Sequence, residues 1–427
     1  MFGTVNTYRK VIALTGPLLP LISFLARLPV AMSQFGSVLL VAETSGSLAT
    51  AGIVGGTLSA GQVVFGPVLG RLADRHGQRS VVLAAAAVNA VATAALVAGA
   101  LADLATVPLA AIGFVTGASV PLIGPLARTR SVALAHRAKS DEGVVGAIHS
   151  LEGTLDEVSF VFGPALVGLA TLALHPAIAL GGAAALVAVF GTLYALHPTA
   201  AVTAGVPAGV RRDKGRSRVR PPRVVLAVRG SLALQGAMFG ACQAGIAALT
   251  LQLGVPGQAG IVYAAMGVVS AAVGLSLGAL PARFGLRLRW RVATAAALVL
   301  SVPLLFTQTL WPLYVVVTVL GAAYAPHLIT AFALTERAVE PSRLAESMAF
   351  AASSLVAGQA ASLAVSGRLA EWYGPWAAFA VAVGAAALCL VLALVTKVPA
   401  ARAHAPVASG GGARTDAVLE GAAYAGR

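Results

Sequence analysis

Residues 66–79 read GPVLGRLADRHGQR and form a short basic turn between two uncharged stretches. No charged residue occurs from Thr57 to Leu69 before this turn, or from Val81 to Leu101 after it. Glycine lets two backbones approach closely, and arginine is retained on one side of a membrane. The stretch therefore predicts two membrane-spanning segments that are joined tightly at one face of a bilayer.

A weaker copy of this turn occurs about half the chain length later, where residues 278–287 read GALPARFGLR. Five positions of the first turn recur there, namely Gly70, Leu72, Arg75, Gly77 and Arg79 as Gly278, Leu280, Arg283, Gly285 and Arg287. Asp74 does not recur, because Ala282 stands at its place. A motif that returns at this spacing predicts two related halves.

The composition excludes a soluble protein. Of the 427 residues, 58% are hydrophobic and only 10% are charged, whereas soluble domains carry about 25% charged residues. The net charge of +14 would suggest a nucleic-acid ligand in a soluble protein. Here the positions of the basic residues explain the charge through membrane topology, so we expect no nucleic-acid partner.

A helix needs about 20 apolar residues to cross a bilayer, and the sequence offers twelve such stretches. We predict an all-α integral membrane protein with twelve transmembrane helices in two pseudo-symmetric six-helix bundles. The predicted spans are 16–41, 47–70, 79–101, 105–127, 143–171, 175–196, 224–252, 257–280, 290–308, 311–334, 344–369 and 373–396. The predicted domains are an N-terminal bundle (1–198), a basic linker (199–223), a C-terminal bundle (224–397) and a disordered tail (398–427).

Nearly all of the 29 lysines and arginines fall on one side of this topology. The loop between spans 4 and 5, for example, receives Arg128, Arg130, Arg137 and Lys139. The positive-inside rule then predicts that both termini and the linker are cytoplasmic. We expect a multi-pass protein of the inner (cytoplasmic) membrane.

With its twelve spans and central linker, the chain resembles the major facilitator superfamily of secondary transporters. The turn resembles that family's G-x-L-x-D-R-x-G-x-R loop, with matches at Gly70, Leu72, Asp74, Arg75, Gly77 and Arg79. The resemblance implies a gating loop whose Asp74 caps the eleventh helix near Ser342 to Glu346, where the helix dipole favours an anion. The alternative for the arginines is simple anchoring at the membrane face.

The fifth predicted span carries His149, Glu152, Asp156 and Glu157. At a rise of 1.5 Å per residue, Glu152 and Asp156 lie roughly 14 and 20 Å deep. Ionisable groups at such depth are costly and mark substrate or proton pathways. All four are candidates for proton coupling or substrate binding, and so is Arg27 of the first predicted span. The alternative is a static ion pair with Arg27, the only basic residue that lies deep within a predicted span.

Gly163, Pro164 and Gly168 in the same span resemble the G-P-x-x-G-G-type motif of the superfamily's drug/proton antiporters, and they predict a helix kink. Val167 departs from that motif, and ordinary helix packing is the alternative. A second departure is the predicted fourth span, which lacks the arginine that those antiporters often carry. In the C-terminal half, His327 follows Pro326 and is a further candidate, although a lone histidine on an apolar helix is more often a packing residue.

The hypothesis from the sequence is a secondary active transporter that moves a small hydrophobic or amphipathic molecule by alternating access, with proton-coupled efflux. The alternatives are proton-coupled uptake or facilitated diffusion of a small metabolite and, more remotely, a non-transporting membrane protein. We expect a monomer whose partners are the substrate, protons and the lipid bilayer. We expect no enzyme activity, cofactor or metal, because the sequence contains no Walker loop, catalytic triad or metal cluster, and Cys242 and Cys389 lie singly in apolar runs.

Overall fold

Long apolar helices joined by short polar turns make up the structure, a computed structural model that describes residues 2–173, 175–203, 221–255, 258–279 and 284–397. Within these ranges the secondary structure is helical, and they contain no strand. Helices suit a lipid environment because each one satisfies its own backbone hydrogen bonds.

Fifteen α-helices are described, together with short 3-10 and π segments. They are α1 (Phe2–Thr15), α2 (Leu18–Ser45), α3 (Leu48–His76), α4 (Gln78–Leu101), α5 (Thr106–Ala118), α6 (Ile123–Arg137), α7 (Glu142–Ala173), α8 (Pro176–Leu186), α9 (Thr192–Leu196), α10 (Arg223–Gln252), α11 (Gln258–Ser276), α12 (Leu286–Ser301), α13 (Leu310–Ala338), α14 (Leu344–Tyr373) and α15 (Pro375–Val395). Twelve segments of the described chain are long and apolar enough to cross a membrane. The predicted number of spans is confirmed.

The fourth span differs from its prediction. It combines α5 and α6 and runs from Thr106 to Arg137, with a break at Leu122, whose φ is 48°. Arg128 and Arg130 therefore lie inside the span and are fully buried, and their assignment to a loop was wrong. The physical reason is that hydropathy counts their charge but cannot detect the partners that make burial tolerable.

The N-terminal helix α1 precedes the first span and was not predicted as a separate element. Its Val11 is buried with Val132 and Ala135 of α6 and with Ala147 and Ile148 of α7. This apolar contact fixes α1 against the N-terminal bundle.

Glycines allow the spans to pack closely. A Cβ atom on Gly358 of α14 would overlap the Ala233 carbonyl oxygen of α10, and one on Gly117 of α5 would overlap the Leu58 carbonyl oxygen of α3. Lipid tails are as apolar as leucine, so close van der Waals packing of small residues holds such helices together.

We call the membrane end that carries the turn at Gly77, the loop 138–141 and residues 197–203 and 221–222 the linker end. Most of the predicted linker (204–220) and the predicted disordered tail (398–427) lie outside the described residues. So do positions 280–283 of the second motif copy.

Candidate functional site

Four charged side chains meet in the interior of the N-terminal bundle. Arg27 of α2 forms an ion pair with Glu152 of α7, and its Nε lies 3.5 Å from Asp156 Oδ1. Arg128 of α6 binds the second oxygen of Asp156, with Nη2 2.9 Å from Oδ2. Asp156 thus lies between two arginines.

The helix spacing explains this arrangement. Glu152 and Asp156 are four residues apart on α7, and residues at this spacing share a helix face. Arg128 and Ser131 are three residues apart on α6, and the Ser131 hydroxyl donates to Glu152 Oε1 at 3.1 Å. Arg27 also donates to the Glu152 backbone oxygen at 3.2 Å. Every charge in the cluster therefore faces an opposite charge or a hydrogen-bond partner.

The side chains of the cluster differ in their exposure to solvent. The side chain of Asp156 is 17% exposed, whereas those of Arg27 and Arg128 are 4% and 0% exposed. Gly124 of α6 lies directly against the Asp156 carboxylate, because a Cβ atom there would come within 2.5 Å of Oδ1. Asp156 is consequently the member that water can reach most easily.

Arg128 also contacts the other half of the molecule. Its guanidinium group lies 3.9 Å from the ring centroid of Phe332 on α13. A cation over an aromatic face is attracted by the ring quadrupole. Among the described residues, Arg128 Nε and Nη1 have no hydrogen-bond partner. Because Arg128 and Arg130 are buried inside the fourth span, the prediction that Arg27 is the only basic residue deep within a span is wrong.

Glu157 and His149 are buried but stand apart from these ion pairs. Glu157 is the next residue after Asp156 and has the Ser270 hydroxyl of α11 as its hydrogen-bonding neighbour. Neither ring nitrogen of His149 has a hydrogen-bond partner among the described residues. Of the candidates predicted in this span, Glu152 and Asp156 come together, whereas His149 is not part of the ion-paired cluster.

The turn at residues 66–79 contacts the C-terminal half at the linker end. Asp74 Oδ1 and Oδ2 accept hydrogen bonds from the backbone N–H groups of Ala345 and Glu346, at 3.1 and 2.8 Å. These groups lie in the first turn of α14, where a carboxylate is favoured by the helix dipole. Arg71 Nη2 lies 2.6 Å from Glu346 Oε1.

The turn also contains two buried glycines and two exposed arginines of the motif. Gly70 lets α3 approach α14, since a Cβ atom there would lie 2.7 Å from the Ala345 carbonyl oxygen. Gly77 ends α3 with a φ of 82°, a conformation that favours glycine. Arg75 and Arg79 are exposed at the linker end.

His327 lies in a separate polar network inside the C-terminal half. Gln235 donates from its amide nitrogen to the Tyr324 carbonyl oxygen at 2.9 Å, so its Oε1 is the acceptor that lies 2.6 Å from His327 Nδ1. Nδ1 therefore carries the proton, and Nε2 accepts from the Ser231 hydroxyl at 2.7 Å. This satisfied, neutral imidazole fits a packing role better than substrate contact.

Comparison with known proteins identifies the family. The sequence model of the Major Facilitator Superfamily matches residues 19–311 and 256–420. This chain belongs to the major facilitator superfamily. No curated protein sequence matches it. As a member of this family it is a membrane transporter and not an enzyme.

Solved structures show the same fold as this superfamily member. The human organic anion transporter MFSD10 (TETRAN) is 18% identical, with a TM-score of 0.68 over 90% of this chain and 99% of that one. A bacterial homologue of the iron transporter ferroportin in an outward-facing state is 16% identical, with a TM-score of 0.68 over 88% and 97% of the two chains. The nucleoside transporter NupG is 15% identical, with a TM-score of 0.58 over 88% and 98%.

The two glycines of the fifth-span motif, Gly163 and Gly168, differ in how closely they pack against other helices. Helix α7 continues through Pro164. Gly163 packs on α2, because a Cβ atom there would lie 2.5 Å from the Ala31 Cβ atom, whereas Gly168 has no atom within 4 Å of such a position. Only Gly163 is required for close helix contact.

Sequence reasoning missed a second buried arginine site in the N-terminal half. Arg130 Nε donates to Gln78 Oε1 at 3.0 Å, Nη1 donates to the Tyr194 carbonyl oxygen at 2.9 Å, and the guanidinium group stacks on the Tyr194 ring at 3.8 Å. The signal that could have revealed it is Gln78, a neutral polar residue inside the basic turn. Among the described residues, no group of three or more His, Cys, Asp or Glu could hold a metal ion.

Proposed function

We propose that this transporter exports a small hydrophobic or amphipathic molecule in exchange for protons, by alternating access between its two halves. The observation that carries the proposal is the pairing of Asp156 with both Arg27 and Arg128 inside the N-terminal bundle. Buried carboxylates of this kind are typical of proton relays in transporters.

The contacts between the halves support an outward-facing state. Asp74 and Arg71 join α3 to α14, Arg337 lies 3.2 Å from Glu142, and His136 lies 3.5 Å from Glu336. All of these pairs lie at the linker end, which we assign to the cytoplasm. Closure of that end leaves the opposite end to open, and the outward-facing ferroportin homologue is one of the structures that this chain resembles.

Protonation of Asp156 would release both of its arginines. The neutral carboxyl keeps no ion pair with Arg27 or Arg128, and Arg128 is then held chiefly by its contact with Phe332 on α13. Because Arg128 contacts both the carboxylate and the opposite half, it can transmit the loss of charge to the interface. Glu152 keeps its own partners, Arg27 and Ser131, so we assign it a supporting role.

Glu157 is the second carboxyl that we propose for coupling. It is buried between the halves, and it forms no salt bridge with the residues that the structure describes. A buried carboxylate without a countercharge is costly. Glu157 is therefore suited to bind a proton and to exchange it with the adjacent Asp156.

The composition of the C-terminal half supports this substrate class. Its core side chains are mainly apolar, for example Met238, Met266, Leu320 and Phe379. Binding sites for small hydrophobic molecules are mostly apolar, with a few polar groups that fix orientation.

Transport into inverted membrane vesicles tests the proposal. With an imposed pH gradient, wild-type protein should accumulate a hydrophobic dye, and Asp156→Asn should reduce this proton-driven accumulation about 5- to 150-fold, the usual range of a coupling free energy. Glu371→Gln is the matched control, since Glu371 is 66% exposed and pairs only locally with Arg368.

Each result has a defined meaning. If Asp156→Asn accumulates dye as well as wild type does, the coupling role of Asp156 is wrong. If wild type moves dye in the same direction as protons, the protein catalyses uptake. If the pH gradient has no effect on a measurable flux, the mechanism is facilitated diffusion.

A further inference from the structure

The two halves meet at two pseudo-symmetric interfaces, and different hydrogen bonds connect the helices at each of them. The interface of α3 with α14 has Asp74, which caps the N-terminus of α14 from the opposite half. The related interface of α11 with α7 lacks that aspartate, because Ala282 stands at the corresponding position of the motif copy. The N-terminus of α7 is capped locally instead, since Asp141 Oδ1 accepts from the Val144 N–H at 2.9 Å.

Tyr8 of α1 occupies this second interface. Its hydroxyl donates to the Leu275 carbonyl oxygen of α11 at 2.6 Å and lies 3.0 Å from Ser150 Oγ of α7. The Ser150 hydroxyl in turn donates to the Gly274 carbonyl oxygen. Gly274 and Leu275 lie in the last turn of α11, whose carbonyl groups have no partner within the helix.

The chemistry is thus complementary at the two interfaces. Asp74 accepts from the free N–H groups at the start of one helix, whereas Tyr8 and Ser150 donate to free carbonyl groups at the end of another. Burial raises the pKa of the Tyr8 phenol, so the hydroxyl remains a donor at neutral pH. The motif copy supplies the space, because a Cβ atom on Gly278 would overlap the Tyr8 hydroxyl.

Helix α1 is held so that Tyr8 reaches this position. Val11, three residues further along, is buried against α6 and α7. Lys10 Nζ lies 3.5 Å from Asp141 Oδ2, a solvent-exposed pair that adds little stability. The apolar contact attaches α1 to the N-terminal half, and the Tyr8 hydroxyl extends from it to the C-terminal half.

We infer that α1 is a second latch of the closed linker end, in which Tyr8, with Ser150, is a positioning residue that holds α7 against α11. The inference rests on the proposed alternating access, because the latch matters only if the linker end opens. When α11 moves away from α7 in that step, the bonds to Gly274 and Leu275 break together.

A cysteine reporter measures the opening. Ser353 of α14 is 5% exposed and faces Gly66 of α3. Its hydroxyl has no hydrogen-bond partner among the described residues, so Ser353→Cys removes no bond. Cys242 and Cys389 are buried within the C-terminal bundle and report unfolding. Maleimide labelling of each cysteine in the full-length protein is followed by mass spectrometry.

Tyr8→Phe should speed labelling of the reporter cysteine by roughly three- to tenfold, the factor that a net hydrogen bond represents. Asp74→Asn is the positive control. Tyr314→Phe is the matched negative control, because the Tyr314 hydroxyl bonds to Gln258 within the C-terminal half at 2.5 Å. Cys242 and Cys389 should stay protected in all variants.

Equal labelling rates for Tyr8→Phe and Tyr314→Phe would overturn the latch. If Tyr8→Phe also exposes Cys242 and Cys389, Gly278→Ala decides the question, since it displaces the Tyr8 hydroxyl without removing it and should speed reporter labelling alone. The assay uses neither substrate nor a pH gradient. A failure of proton coupling at Asp156 therefore leaves its result interpretable.

Discussion

Arg27 and Glu152 show how a single residue can control the stability of a membrane bundle. Their ion pair is almost fully buried, and the remaining oxygen of Glu152 accepts from Ser131. A buried pair of this kind adds little compared with two apolar side chains, but removal of one partner leaves a bare charge in a site that water does not reach.

Arg27→Met should therefore lower the free energy of unfolding by about 3–5 kcal/mol, and the double variant Arg27→Met with Glu152→Gln should recover most of that loss. Denaturant unfolding of the detergent-solubilised protein measures both. Arg368→Met is the control, because its pair with Glu371 is exposed and should change stability by less than about 1 kcal/mol. A double variant as unstable as the single one would show that charge burial is not the cause.

The charged residues also show what a sequence can and cannot reveal. Asp156 and Glu152 stand out because ionisable side chains are rare in apolar spans, so the candidate carboxylates could be found from the sequence. Arg128 could not, because it follows a proline-rich break and looks like the start of a polar loop. Only the fold brings α6 against α7 and places Arg128 2.9 Å from Asp156.

At the scale of elements, apolar length was sufficient to find the spans, whereas their internal breaks were not predictable. Eighteen or more apolar residues identify a spanning helix regardless of its neighbours. The break between α5 and α6 and the separate helix α1 depend on tertiary contacts, such as the burial of Val11 against α6 and α7. Hydropathy contains no information about such contacts.

Helix α7 offers a prediction at this scale, because its two glycines differ in environment. Gly163→Ala should weaken contact between α7 and α2, since its methyl group would lie 2.5 Å from the Ala31 Cβ atom and 3.1 Å from the Met32 backbone nitrogen. We expect a loss of about 1–3 kcal/mol in the free energy of unfolding, the usual cost of overpacking. The change is measured by thermal unfolding in detergent.

Gly168→Ala is the matched control in the same helix, because nothing lies within 4 Å of its added methyl group. Alanine has a higher helix propensity than glycine, so this variant should be neutral or slightly more stable than wild type. If both variants lose the same stability, backbone flexibility of α7 rather than its packing on α2 governs the effect.

At the scale of the whole molecule, the basic residues outside the buried core are unevenly distributed between the two membrane ends. The linker end carries Arg75, Arg79, Arg137, Lys139 and Arg343, among others, whereas the opposite end carries Glu43, Asp103, Arg368 and Glu371. The burial of Arg128 and Arg130 removes two charges from this contrast. The asymmetry persists, and it still predicts a cytoplasmic linker end.

Reporter insertions test this orientation. Alkaline phosphatase, which is active only outside the cytoplasm, should be active when inserted at Gly254 in the turn between α10 and α11, and inactive when inserted within the linker at residues 204–220. Green fluorescent protein at the same two positions should give the opposite pattern, which controls for expression. The reverse pattern would place the closed linker end outside the cell, and the outward-facing assignment and the proposed direction of proton-driven export would both be wrong.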